Sequence, residues 1–225
     1  MQVPATLINE CGIATIPDAF SARTEEYELQ RRLLLYSREY TEGQAARDFL
    51  DFAISEDGDT VIGKAGFIGF AVDRRAQSLD ASRALLNANV DAYEASFMCQ
   101  MVAQMVGYDR LSTTFRFRVG SAQLDARGLT DKARLVDYLA NQPAGSEVLI
   151  VGFTDSVGEF DSNLNLSRQR AGQVAEEIAD FAGSRLAKMA ISSIGFGEIA
   201  PVNCNEEEDG RRINRRVEVW VKSPT

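Results

Sequence analysis

The feature that most constrains this 225-residue chain is a run of four apolar residues, Val148-Leu149-Ile150-Val151, bounded by Pro143-Ala144-Gly145 on one side and Gly152 on the other. A short, uninterrupted apolar run between turn residues is the pattern of a central strand buried on both faces. Around it, residues 109–225 alternate strand and helix. Thr113 to Val119 alternates, with Phe115, Phe117 and Val119 on one face. Thr130 is placed to cap a helix running to about Asn141, with Ala133, Val136, Leu139 and Ala140 inward. A second helix is predicted from about Leu164 to Phe181, with Ala171, Val174, Ala175 and Ile178 inward. Met189 to Ile194 reads as a strand ending in Gly195-Phe196-Gly197. Arg216 to Lys222 alternates cleanly, Val217, Val219 and Val221 against Glu218, Trp220 and Lys222. The order β-α-β-α-β-β predicts an α+β sandwich with helices on one face of a mixed sheet.

Upstream, residues 76–108 read as a linking helix. Leu86, Val90, Tyr93, Phe97, Met101 and Met105 form one apolar stripe, and Gly107 supplies a stop. A stripe containing methionine suits a partner surface, but packing on the neighbouring domain is the simpler expectation. Residues 1–75 form a small partial α/β section. Leu33-Leu34-Leu35-Tyr36 reads as a strand, and Thr41 as the cap of a helix over Gln44 to Ile54 that sets Ala45, Phe49, Leu50 and Ala53 on one face. Gly58 ends or interrupts that helix, and a second short helix runs on to Lys64.

Composition excludes several functions. Twenty-four basic residues against 33 acids leave a net charge of −9, which repels phosphate backbones, so no nucleic-acid partner is expected. The local exception is Arg211-Arg212-Ile213-Asn214-Arg215-Arg216. The absence of histidine removes the commonest general base and zinc ligand. Cys11, Cys99 and Cys204 show no CxxC spacing; they allow at most one internal disulfide, and the spacing does not say which. No metal, cofactor or catalytic residue is expected. There is no nucleophile elbow, Ser167 sits on a helix with no evident base, and the acids Glu206 to Asp209 read as a solvated loop because four consecutive carboxylates cannot all face one ion. No stretch approaches the roughly 18 apolar residues of a membrane helix, and Met1 to Thr6 lack the basic and apolar regions of a signal peptide.

The densest polar constellation is Gly152-Phe153-Thr154-Asp155-Ser156-Val157-Gly158 followed by Asn163-Leu164-Asn165-Leu166-Ser167-Arg168-Gln169-Arg170-Ala171. It leaves the C-terminal end of the central strand and enters a helix, where α/β sheets place ligands. Asp155 sits at the strand exit and Arg170 about two turns into the helix. A carboxylate and a guanidinium facing one pocket grip a zwitterion such as an amino-acid head group. Spacing alone fits a structural Asp–Arg salt bridge with an N-cap asparagine rather better.

The whole string resembles the signature of the OmpA-like C-terminal domain, also found in peptidoglycan-associated lipoproteins and flagellar motor stator proteins. That signature is Thr-Asp with Gly three residues on, then Asn-x-x-Leu-Ser-x-x-Arg-Ala, here Thr154, Asp155, Gly158, Asn163, Leu166, Ser167, Arg170 and Ala171. Gly195-Phe196-Gly197-Glu198 with Pro201, Gly210-Arg211 with Asn214-Arg215-Arg216-Val217-Glu218, and Phe117 to Leu124 extend the match over about residues 110–222. The resemblance implies a wall-anchoring domain of the Gram-negative periplasm, at the outer membrane or cell wall, whose ligand is the diaminopimelate residue of the peptidoglycan stem peptide. It implies that Asp155 accepts from the ligand ammonium, that Arg170 pairs with its carboxylate, and that Ser156 and Val157 offer backbone donors beside Thr154. Asn163 then shapes the loop or touches ligand, and Leu166 lines the pocket. Arg215 or Arg216 closes one side, unless Arg216 is a strand-face residue screening acids. Phe153 stands where many relatives have histidine, which puts the pocket wall and affinity in question.

A second resemblance covers residues 1–75. Asn9 to Ile13, Glu26 to Tyr36, Ala45 to Gly58 and Gly66-Phe67-Ile68 are similar to the final portion of a phosphate-type periplasmic binding protein. It implies the C-terminal remnant of a substrate-binding domain, with exposed apolar surface where the missing lobe would lie; the competing expectation is a phosphate- or anion-binding component tethered to the wall, with ligand binding lost in so short a piece.

Overall fold

The computed structural model describes residues 6–36, 43–76, 92–117 and 126–224. In chain order these form β1 (Leu7–Ile8), β2 (Ala14–Thr15), α1 (Ala19–Arg23), α2 (Gln44–Ala53), α3 (Glu56–Lys64), β3 (Arg74–Arg75), α4 (Ala92–Met105), β4 (Asp109–Arg116), α5 (Ala126–Ala140), β5 (Glu147–Gly152), α6 (Phe160–Ala182), β6 (Ala190–Gly195), α7 (Glu208–Asn214) and β7 (Arg216–Lys222). The main sheet has the order β3-β4-β7-β5-β6. β5 runs parallel to β6 and antiparallel to β7, which is antiparallel to β4, so the sheet is mixed as expected.

The alternation of β5 and β7 divides the interior in two. Val148, Ile150, Val217, Val219 and Val221 face α5 and α6, where they meet Leu135, Val136, Leu139, Ala171, Val174 and Ile178. Leu149, Val151 and Trp220 face the other way and pack against Met101 and Met105 of α4 with Phe153, Phe196 and Ile199. The methionine stripe of the linking helix therefore covers the second face of the sheet, and Gly107 ends that helix with φ of +81°.

The rest of that second face, over β4 and β7, is closed by the chain just after α1 through buried ion pairs. Arg110, Arg216 and Glu218 have no exposed surface. Glu218 accepts from Arg216 Nε at 2.7 Å and from Trp220 Nε1 at 3.0 Å, and lies 3.1 Å from Arg110. Glu26 takes the same Arg110 guanidinium through both oxygens. Glu25, a non-glycine residue at φ of +60°, holds Arg116 at 3.2 Å, while the Thr24 carbonyl accepts from Arg116 Nη2. Charged side chains can lie this deep only because each is countered. A covalent tie reinforces the contact: Cys11, between β1 and β2, is disulfide-bonded to Cys204 after β6, and Asn9 donates to Asn203 at 3.3 Å. Cys99 is free and exposed.

Several expectations shift. Leu33 to Tyr36 forms no strand; the run lies exposed and unpaired with any neighbour in a sheet, and apolarity alone does not supply a hydrogen-bonding partner. Helix α2 forms where expected but is preceded by Gly43 as its cap residue, buries no side chain fully, and ends at Ala53, Ile54 being its C-cap; Thr41 lies outside the described residues. Gly58 belongs to the first turn of α3, where a Cβ would come 2.1 Å from the Phe52 carbonyl oxygen. Leu86, Val90 and Val119 lie outside the described residues. β4 begins at Asp109 rather than Thr113, because Arg110 is held inside the sheet by acids. α5 begins at Ala126, which leaves Thr130 exposed within the helix; Ala140 faces outward and Leu135 inward. α6 starts four residues before Leu164, since Phe160 packs on Tyr93 and Phe97 of α4, a contact that no local pattern announces. No helix among the described residues is long and apolar enough to cross a membrane.

The Cys11–Cys204 bridge spans 193 residues. Replacing Cys11 with serine is expected to lower the unfolding free energy by up to about 5 kcal/mol in the chain-entropy account of so long a loop. Guanidinium titration of both proteins, with and without reductant, checks this; coincident curves would show that the bridge carries none of the stability.

Candidate ligand-binding site

Three segments meet at the C-terminal end of β5: the loop 153–159, the first half of α6, and the chain from β6 through α7 into β7. Their meeting is set by how closely α6 rests on the sheet. Gly152 and Gly195 are register partners across β5 and β6. A Cβ on Gly152 would lie 2.1 Å from the Ser167 carbonyl oxygen, and one on Gly195 would lie 2.2 Å from the Arg168 nitrogen. Only glycine admits this approach. Ser167, fully buried, fixes it: its Oγ donates to the Leu164 carbonyl at 2.8 Å and accepts from the Gly197 N–H at 2.8 Å. The expectation that Ser167 is structural describes what it does here.

Arg170 follows one turn later and is 6% exposed. Its guanidinium lies over the Phe117 ring, 5.2 Å from the centroid. Its buried Nε and Nη1 have no hydrogen-bond partner among the described residues. Burial first, then the neighbouring Arg215 cation, pull its pKa down, against the opposing influence of Asp155. Asp155, 8% exposed, does not form the salt bridge with Arg170 that spacing alone suggested. Its Oδ2 accepts from Arg215 Nη1 at 2.7 Å and its Oδ1 from the Val157 N–H at 3.2 Å.

Arg215 is the residue that local sequence did not single out from its neighbour. It bridges Asp155 to Glu208, whose Oε1 accepts from Nη2 at 2.5 Å. Hydrogen bonds from Arg215 and Arg211 hold the Glu208 carboxyl below its usual range. One member of the acidic run thus has a task, although it is exposed like Glu206, Glu207 and Asp209. Arg216 points away from this cluster, to the Glu218 side of the sheet and over the Phe153 ring at 4.2 Å, with Nη2 donating to the Ala200 carbonyl. Arg215 is the C-cap of α7 and Arg216 the first residue of β7, and their side chains take different partners, so the structure gathers Arg215, not Arg216, beside Asp155. Phe153 packs with Phe196 and Trp220 in the second core, so its ring lies in the same cluster as the buried face of α4.

The remaining residues occupy the loop and its supports. Thr154 is buried, its N–H donating to the Gly197 carbonyl at 2.7 Å and its Oγ1 without a hydrogen-bond partner among the described residues. Ser156 and Val157 are exposed at the tip, the Ser156 N–H reaching Asn205 Oδ1 at 3.3 Å. Leu166 is 38% exposed. Asn163 is buried and donates from Nδ2 to Glu198 Oε2 at 2.6 Å, so it fastens the loop after β6 to α6. Asn214, fully buried, accepts from the Val202 and Asn203 N–H groups and donates to the Asn203 carbonyl and to Asn205 Oδ1. This accounts for the Asn in the Asn-Arg-Arg-Val-Glu ending, for which the sequence offered no role.

Comparison with known proteins finds relatives of the segment that carries this site. Residues 116–215 match the OmpA family. The C-terminal part of this chain is an OmpA-like domain. Outer membrane porin F of Pseudomonas fluorescens is 34% identical over 122 residues, 54% of this chain and 35% of that protein. Peptidoglycan-binding protein ArfA of Mycobacterium bovis is 37% identical over 89 residues, 39% of this chain and 26% of that protein. The peptidoglycan-associated lipoprotein of Legionella pneumophila is 32% identical over 104 residues, 46% of this chain and 57% of that protein. The chain therefore spans about a quarter to three fifths of the length of these relatives.

The contrast between the two buried arginines is testable without ligand. Arg216→Ala leaves Glu218 buried and short of a partner and is expected to cost about 3–5 kcal/mol. Arg170→Met removes an unanswered buried cation from the OmpA-like domain and is expected to leave the melting temperature unchanged or raise it. Thermal unfolding of the two variants beside the wild type decides; an Arg170→Met protein as damaged as Arg216→Ala would mean that Arg170 is a structural ion-pair member.

Proposed function

We propose that this chain binds peptidoglycan non-covalently and anchors an exported protein to the cell wall. The observation that carries the reading is Arg170: a guanidinium 6% exposed, with two nitrogens lacking partners, beside a loop whose own carboxylate is already held by Arg215. A buried donor left unpaired is costly, and a ligand carboxylate would satisfy it with the bidentate geometry that guanidinium favours. The printed names of two relatives, a peptidoglycan-binding protein and a peptidoglycan-associated lipoprotein, support the ligand class.

In this reading the ligand is the diaminopimelate residue of the stem peptide. Arg170 takes its carboxylate. Asp155, which has lone pairs beyond those used by Arg215 and Val157, accepts from its ammonium. The exposed tip at Ser156 and Val157 and the half-open Leu166 form the rim, with Thr154 Oγ1 as a further polar contact. No step of this calls for catalysis, a metal or a cofactor. The chain works in the periplasm at the wall or outer membrane, an oxidising setting in which the Cys11–Cys204 bridge persists.

Phosphate binding by residues 1–75 draws no comparable support. Arg23, Arg32 and Arg75 are engaged with Asp73, Glu25 and Asp18, and Glu25 and Glu26 are committed to the sheet.

Sedimentation with purified, diaminopimelate-containing peptidoglycan tests the anchor. The wild type is expected to pellet, and Arg170→Ala and Asp155→Ala to stay in the supernatant while remaining folded by circular dichroism. Variants that still pellet would remove the assigned pocket, and a folded wild type that stays soluble would remove the function.

A further inference from the structure

Glu198 differs from the other carboxylates around the loop. Asp155 is held by Arg215, and Glu208 by Arg215 and Arg211. The hydrogen-bond partner of Glu198 is an amide, Asn163 Nδ2, and the charged groups that bear on it are acids, Glu94 of α4 and Asp155. Burial, with Glu94 and Asp155 adding to it, lifts its carboxyl above the ordinary value while Asn163 opposes. It is a half-buried anion that no cation of the described residues answers.

Arg170 is its mirror image, a buried cation without a hydrogen-bonded anion and with Arg215 as its cationic neighbour. The two are framed by one helix. Asn163, which holds Glu198, and Arg170 are seven residues apart and both buried on α6. That separation is about 10 Å along the axis, and Asp155 stands close enough to act on both groups. An unanswered anion and an unanswered cation that both feel Asp155 are complementary to a ligand whose ammonium and carboxylate stand apart.

We propose that Glu198 is a second carboxylate of the ligand site: the ligand's ammonium donates to Glu198 as well as to Asp155, while its carboxylate lies on Arg170. An ammonium has three donors and can serve both acids. The proposal rests on the peptidoglycan reading and adds to it a residue that selects for a free amino group.

The substitution Glu198→Gln tests it cleanly, because the amide oxygen still accepts from Asn163 and only the charge is lost. Half-pelleting concentrations are measured for the wild type and Glu198→Gln on native sacculi and on sacculi whose amino groups have been acetylated with acetic anhydride. On native wall the variant is expected to need about tenfold more material or beyond, the loss of one charge-assisted contact. On acetylated wall the wild type is expected to fall to the level of the variant. Equal pelleting of both proteins on native wall would overturn the role of Glu198. A wild type indifferent to acetylation would overturn recognition of the ammonium, and this arm decides even if the variant folds poorly. A folded wild type that pellets on neither wall would bring down the peptidoglycan reading itself, and the proposal with it.

Discussion

The site depends on one contact: the backbone of α6 at Ser167 resting directly on Gly152 and Gly195, without side chains between helix and sheet. The approach sets the depth at which the following turn is carried, so Arg170 arrives beneath the surface rather than on it. It also brings the loops after β5 and β6 side by side, with the Thr154 N–H on the Gly197 carbonyl and the Gly197 N–H on Ser167. A methyl group at either glycine would meet backbone, which cannot turn aside as a flexible side chain can. The fold and the proposed pocket thus share one pair of residues.

The opposite face of the sheet is organised by charge rather than by apolar packing alone. Three arginines and three glutamates, Arg110, Arg116, Arg216, Glu25, Glu26 and Glu218, lie buried where β4 and β7 meet the chain after α1. Each is tolerated because of the others, which makes the N-terminal section a layer of the same interior and not an appendage. Such networks confer specificity of packing more readily than stability: an apolar surface would accept many partners in many registers, whereas this one accepts a segment with two adjacent acids in the right place.

The β-α-β-α-β-β order and the residues of β5 and β7 were legible because their apolar periodicity is a local property. The constellation around Asp155 and Arg170 also stood out by residue type, although the two do not bond to each other. What stayed hidden was decided by partners distant in sequence. Arg110 looked like a residue before a strand because Glu26 and Glu218 are 84 and 108 residues away from it. Phe160 looked like loop because its aromatic partners Tyr93 and Phe97 lie on another helix. Leu33 to Tyr36 had the composition of a strand and lacked only a neighbour. Arg215 and Arg216 are indistinguishable in type, and the face each takes became clear only with the register of β7 against β5.

The Cys11–Cys204 bridge joins the turn of the first hairpin described, β1–β2, to the loop between β6 and α7. A polypeptide that emerges from its N-terminus presents Cys11 first, then Cys99, and Cys204 only when nearly all of it is out. A disulfide between the first two thiols to appear would be non-native, and reaching the native pair from it would need thiolate exchange through a mixed disulfide. Cys99 is free and exposed in the finished protein. The tie that fastens the first described hairpin can therefore close only after the loop following β6 has been made.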